Sequence, residues 1–160
     1  MPDPQLDTQL DTQLDTQLDT QLITVSAVVI RDGTGAVLTV RKRGTDRFML
    51  PGGKPEPGET PLQTGVRECH EELGAALDPA DLRLLGTFRA AAANEAGFEV
   101  AATVFEHPAQ VAVVRSAEIA ELRWLPAGTR PLPADLAPLL AEHVLPALDR
   151  LSAIAQADRP

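Results

Sequence analysis

Apolar and polar positions along this chain change their period several times, and each change marks an element. Residues 24–31 (TVSAVVIR) and 37–43 (VLTVRKR) are β-branched runs separated by Asp32-Gly33-Thr34-Gly35, which predicts two strands joined as a hairpin. A second pair of strands is predicted at 84–91 and 98–105, on either side of the turn Asn94-Glu95-Ala96-Gly97. A further strand is expected at 121–125, stopped by Pro126, and a short one at 48–50, ahead of a stretch with too much glycine and proline for regular structure. Between these, Leu62, Val66, Cys69 and Leu73 recur at helical spacing and predict a helix over Pro61–Leu73 with a narrow apolar stripe. Its ends are signalled too: Thr60 as N-cap, Pro61 at the first position, Gln63 as capping-box partner and Gly74 as the closing left-handed residue. Residues 135–151 read as a second amphipathic helix. Strands with helices before and after them predict a mixed sheet packed between helices.

Chemistry enters on the polar side of the first helix. At about 100° per residue, Glu68, Glu71 and Glu72 fall within one arc and offer three carboxylates to a hard cation. Most charge runs are solvated faces, but three glutamates on one arc repel each other and weaken the helix unless a cation offsets them. In the loop ahead, the missing side chains of Gly52 and Gly53 let backbone carbonyls approach a metal.

The segment from Gly53 to Ala75, G-KPEPG-E-TPLQTGV-RE-C-H-EE-L-G-A, fills every position of the pattern G-x5-E-x7-R-E-U-x-E-E-x-G-U, where U is apolar. It resembles the signature of the Nudix hydrolases. The resemblance implies an α/β fold, the Nudix-type α/β/α sandwich with a mixed β-sheet between helices. It also implies Mg²⁺ as cofactor, with Mn²⁺ as an alternative, and attack of water on a diphosphate. By the same resemblance Gly52, through its carbonyl, and Glu68, Glu71 and Glu72 are expected metal ligands, with Arg67 in the catalytic set. Arg67 and Glu59 are further expected to form a mainly structural pair that holds the loop, together with Gly53 and Gly74. Several relatives carry a metal-binding or basic glutamate about six residues before a tryptophan, and Glu118 stands at that offset from Trp124. Either Glu68 or Glu118 is then the expected base, and surface-loop acid is the bland alternative for Glu118.

Charge and composition narrow the substrate. The net charge of −9 is unevenly spread: residues 1–21 hold five aspartates and no lysine or arginine, which leaves −4 for the rest. Groups that could meet phosphates are Arg41, Lys42 and Arg43 on the second strand and Arg47 and Lys54 near the loop; Arg41, Arg43 and Lys54 are taken as substrate-binding. There is no basic stripe with interleaved aromatics, and aromatics make up only 3% of the chain, so a small-molecule nucleotide is expected rather than polymeric nucleic acid. Relatives specific for ADP-ribose or dinucleoside polyphosphates place a proline or tyrosine where Ala90, Ala91 and Ala92 stand here. The remaining expectation is a nucleoside triphosphate, including an oxidised one, or a nucleotide sugar. A non-catalytic nucleotide or ADP-ribose sensor is the alternative class, and the intact acidic pattern argues against it.

One cysteine permits no internal disulfide, and Cys69 on the apolar stripe is expected to pack rather than react. His70, His107 and His143 are isolated and suggest no histidine metal site. No apolar run approaches a membrane span, so no membrane contact and a cytoplasmic location are expected, and a homodimer is compatible with the sequence. The domain is expected over residues 23–151, with a C-terminal tail at 152–160. Residues 1–22 carry Leu-Asp-Thr-Gln four times, a period that matches no solenoid repeat and presents no convincing buried face, which favours a disordered tail.

Overall fold

The structure, a computed structural model, describes residues 20–159; the expected tail lies mostly outside the described residues. A first strand, β1 (Gln21–Val29), begins two residues inside the stretch read as tail. It is followed by β2 (Val37–Lys42), the two-residue β3 (Gly52–Gly53), α1 (Pro61–Leu73), β4 (Arg83–Ala91), β5 (Phe98–Glu106), β6 (Ile119–Leu125), a π-helical segment (Leu139–Val144) and α2 (Leu145–Ala157), which continues directly from it.

The strands form two sheets. A four-stranded sheet has the order β3-β1-β5-β4, and a two-stranded one joins β2 to β6. The larger sheet is mixed: β1 runs parallel to β5 and antiparallel to β3, while β4 and β5 form the expected antiparallel hairpin. The hairpin expected between the first two strands is only half present. Its turn exists, with the Asp32 side chain accepting from the backbone N–H groups of Thr34 and Ala36 at 2.8 and 3.0 Å. Beyond one bridge, Arg31 to Val37, however, the strands diverge into different sheets. A local turn signal fixes a reversal of the chain, but the strand's partner is chosen by burial of its faces.

Alternation along β1 explains the layers. Val28 and Ile30, the latter just past the strand's end, pack with Leu38, Val40, Cys69 and Leu73 beneath α1. Ala27 and Val29 point the other way, into a cluster with Ala102, Val104, Leu140, Val144 and Leu148 under the C-terminal helical segment. One strand with both faces covered reads as a nearly continuous apolar run, as 27–30 does. The result is helix, sheet, helix.

Several boundaries shift, and α2 runs on to Ala157, into the stretch 152–160 expected to be a tail. The last helical segment starts at Leu139 rather than residue 135, directly after Pro138, which stands at its N-cap. Residues 48–50 form bridges, Val40 to Met49 and Phe48 to Leu136, and the regular pairing falls instead on Gly52 and Gly53.

Candidate active site

The turn-and-helix unit is built as its sequence specifies. The Thr60 hydroxyl accepts from the Gln63 N–H at 3.2 Å, the Gln63 side chain accepts from the Thr60 N–H at 2.9 Å, and Gly74 closes the helix at φ 60°. The buried face of α1 is rotated from the expected stripe. Thr64, Gly65, Cys69, Glu72 and Leu73 are buried, while Leu62 and Val66 are only partly so. The small Thr64 and Gly65 bring the helix close to the sheet, and that rotation takes Glu72 inside with them. Burial also pushes the Cys69 thiol up, away from any reactive thiolate.

Glu72 is 1% exposed. Burial drives its carboxyl up to about 7, against the opposing pull of Lys42, with the nearby Glu68 charge adding to the rise and a hydrogen bond from the Gly52 N–H opposing it. The Lys42 ammonium lies 2.8 Å from Glu72 Oε1 and donates to the Gly52 carbonyl at 2.7 Å. The Gly52 N–H donates to Glu72 Oε2 at 3.3 Å. Gly52 thus meets Glu72 through both its backbone groups, one directly and one across Lys42. It pairs with Ala27 in β1, leaving no room for a side chain.

Arg67 organises the other acids. Nε and Nη2 grip the two oxygens of Glu59 at 2.6 and 3.0 Å, Nη1 reaches Glu68 at 3.0 Å and Glu71 at 3.2 Å, and Nη2 also donates to the Lys54 carbonyl at 3.0 Å. Glu59 additionally accepts from the Glu56 N–H and the Thr64 hydroxyl, both at 2.9 Å. The Arg67 hydrogen bonds come first among the causes that hold the Glu59 carboxyl down at about 2, and the same fork raises the guanidinium above its usual range. The pair thus ties the loop to the helix.

A cavity of about 470 Å³ opens over these groups. Gly52, Gly53, Lys54, Glu68, Glu71, Glu118 and Lys42 line one end, and Ile23, Val25, Met49, Leu50, Val100, Leu139 and Leu140 supply an aliphatic remainder with Asn94 and Glu95 at the rim. Glu118, from the loop before β6, lines the same cavity as Glu68 and Glu71. Of the three cations taken as substrate-binding, Lys54 lines the cavity. Arg41 is turned to Glu121 and the Thr45 carbonyl, and Arg43 to the Ala117 carbonyl. Lys42, between them, faces the acids. Period two along a strand puts neighbours on opposite sides, so choosing Arg41 and Arg43 together selected the face away from Glu72. Arg47 donates to the Ala134 carbonyl and Phe48 packs under the Arg123 guanidinium at 3.6 Å, so neither serves the cavity.

Among the described residues no three histidine, cysteine, aspartate or glutamate side chains close round a single point. The expected nest of three glutamates is instead drawn toward two cations, Lys42 taking Glu72 and Arg67 taking Glu68 and Glu71. The donor set nevertheless fits a hard divalent ion: it is all oxygen, and the Gly52 carbonyl and buried Glu72 already share a cationic group. No helix among the described residues is long and apolar enough to cross a membrane.

A family model of the NUDIX domain matches residues 20–146, from the residue before β1 to the second residue of α2. The chain belongs to the Nudix family. Solved structures agree on the Nudix fold: a MutT protein from Methanosarcina mazei Go1 superposes with TM-score 0.64 at 25% identity, over 88% of this chain and 99% of that one. A MutT NUDIX hydrolase from Burkholderia pseudomallei gives TM-score 0.60 at 24% identity, over 82% and 98%. Among curated proteins, an RNA pyrophosphohydrolase of Halorhodospira halophila is 40% identical over 62 residues, 39% of this chain and 33% of that protein. One from Legionella pneumophila is 37% identical over 67 residues, 42% and 37%. The chain thus spans about a third of the length of the curated relatives it matches.

Proposed function

We propose that the chain is a pyrophosphohydrolase that cleaves a phosphoanhydride bond in a nucleoside diphosphate-linked substrate with Mg²⁺, or Mn²⁺ in its place. The observation that carries the reading is the buried carboxylate of Glu72 joined with the Gly52 carbonyl round a positive charge, at the acidic end of a cavity large enough for a nucleotide. Gly52 and Glu72 would hold the ion together with Glu68 and Glu71, and Glu118, which lines the same cavity, would complete the set. A divalent cation held there would withdraw charge from the diphosphate oxygens and make the attacking water more acidic. Glu68 or Glu118 takes the proton of that water, since both line the cavity. Lys54 meets the phosphates as a point charge from the same wall. Arg67 acts behind the carboxylates as a positioning residue, engaged by Glu59, Glu68 and Glu71.

The substrates favoured are a nucleoside triphosphate, oxidised or not, and a nucleotide sugar. Among the described residues no aromatic side chain lines the cavity, so the organic group would be held by aliphatic contact and by hydrogen bonds near Asn94 rather than by stacking. A panel of nucleoside triphosphates, nucleotide sugars and a 5′-triphosphorylated RNA oligonucleotide, the last because the relatives are named RNA pyrophosphohydrolases, tests this with Mg²⁺ and with chelator. Metal-dependent release of pyrophosphate, phosphate or nucleoside monophosphate is expected. Tight nucleotide binding without turnover would favour the sensor reading instead.

A further inference from the structure

Lys42 makes a pair of contacts that an ordinary surface lysine does not. It ends β2 on the face that Leu38 and Val40 turn toward α1, at the point where the register against β6 shifts between Arg41 and Lys42. Its backbone is pinned: the Lys42 carbonyl accepts from the Thr45 hydroxyl at 2.8 Å and the Thr45 N–H at 3.1 Å, and the next N–H, of Arg43, donates to the Glu118 carbonyl at 2.9 Å. Only the four-carbon stem is left to move. At its end the ammonium spans the Gly52 carbonyl at 2.7 Å and Glu72 Oε1 at 2.8 Å, while its side chain stays 33% exposed along the cavity wall.

We propose that the Lys42 ammonium is a tethered competitor for the divalent cation, holding the Gly52 carbonyl and the Glu72 carboxylate in place and leaving them when a divalent ion takes both oxygens. The inference rests on the reading that this site takes such an ion. Two cations cannot share these two oxygens without strong repulsion at contact distance. A buried carboxylate left alone is costly, so a built-in ammonium preserves the loop and helix geometry while the ion is away. The same contact sets a threshold, because each ion bound must first break it. Flexibility of the stem and exposure toward the cavity give the head somewhere to go without any strand moving.

The chain has only two lysines, Lys42 and Lys54, which makes the test direct. Full-length protein labelled with ¹³C at lysine Cε gives two side-chain signals, assigned with Lys54→Arg. Titration with Mg²⁺ is expected to shift the Lys42 signal to an end point at one equivalent. Independently, Lys42→Met is expected to bind Mn²⁺ about tenfold or more tightly than wild type, by electron paramagnetic resonance of the free ion, as linkage requires when a competitor is removed. Metal bound with the Lys42 signal unmoved, or a folded Lys42→Met with unchanged or weaker Mn²⁺ affinity, overturns the proposal while leaving the hydrolase reading intact. Should Lys42→Met fail to fold, the wild-type titration decides alone. Protein that binds no divalent ion in any form overturns both readings together.

Discussion

The Ser26 carbonyl lies 2.1 Å from where a Cβ on Gly52 would stand, so β1 itself denies this position a side chain. One residue on, a Cβ at Gly53 would meet Glu68 Oε1 at 2.4 Å. The first obstacle is backbone in the middle of a sheet, and the second is the free end of a side chain. Gly52→Ala is therefore expected to lose about 1–3 kcal/mol of stability through overpacking, measured by urea unfolding. Gly53→Ala should unfold near the wild-type midpoint and lose turnover, because Glu68 must move off its place.

Glu72→Gln keeps the shape, retains one of the two accepting oxygens, and removes the charge that a cation would balance. Turnover is expected to fall by about 100-fold or more, with circular dichroism unchanged. Near-normal Mg²⁺-dependent hydrolysis by this variant would contradict the role given to Glu72.

Arg67→Lys tests geometry rather than charge, since a lysine cannot reproduce the fork on Glu59 and also reach Glu68, Glu71 and the Lys54 carbonyl. A loss of about 10- to 100-fold in metal affinity or turnover is expected, as for other groups that orient ligands. Mn²⁺ titration alongside steady-state kinetics measures both. Unaltered values in both would show that the fork holds nothing the site needs.

Acid sensitivity should trace to Glu59. Its carboxyl is held at about 2 in the folded chain, below its ordinary value of about 4.5, so its stabilisation is complete above pH 4.5 and disappears as pH falls through 2. Urea midpoints measured from pH 5 to pH 2 should decline more steeply in wild type than in Glu59→Gln. Parallel curves would assign the acid response to other groups.

How much of this was legible depended on range. The helix and both its caps, the acidic box and the β4–β5 hairpin are written in residues a few positions apart, and each appears where local chemistry puts it. Pairings set by burial were not legible. Nothing near residues 21–29 announces the parallel alignment with Phe98–Glu106, and the Asp32 turn suggested a β1–β2 pair that the sandwich does not use. In the site, the glutamates could be named from spacing, but the depth of Glu72 follows from how closely Thr64 and Gly65 let the helix approach. Lys42 could have been preferred to its neighbours by asking which face of β2 meets α1, since Leu38 and Val40 share its parity and pack toward that helix.

The wide turn over Leu139–Val144 has an effect beyond its own packing. There the Leu145 N–H reaches back five residues to the Leu140 carbonyl, so the segment spends more residues per revolution than α2 does. Leu139 and Leu140, which open that segment, line the cavity. Removing a single residue from this stretch would return it to ordinary winding and swing both side chains about 100° round the axis. The molecule thereby carries a route by which one codon lost, well away from the acids, could recut the space offered to a substrate and leave the hydrolytic machinery untouched.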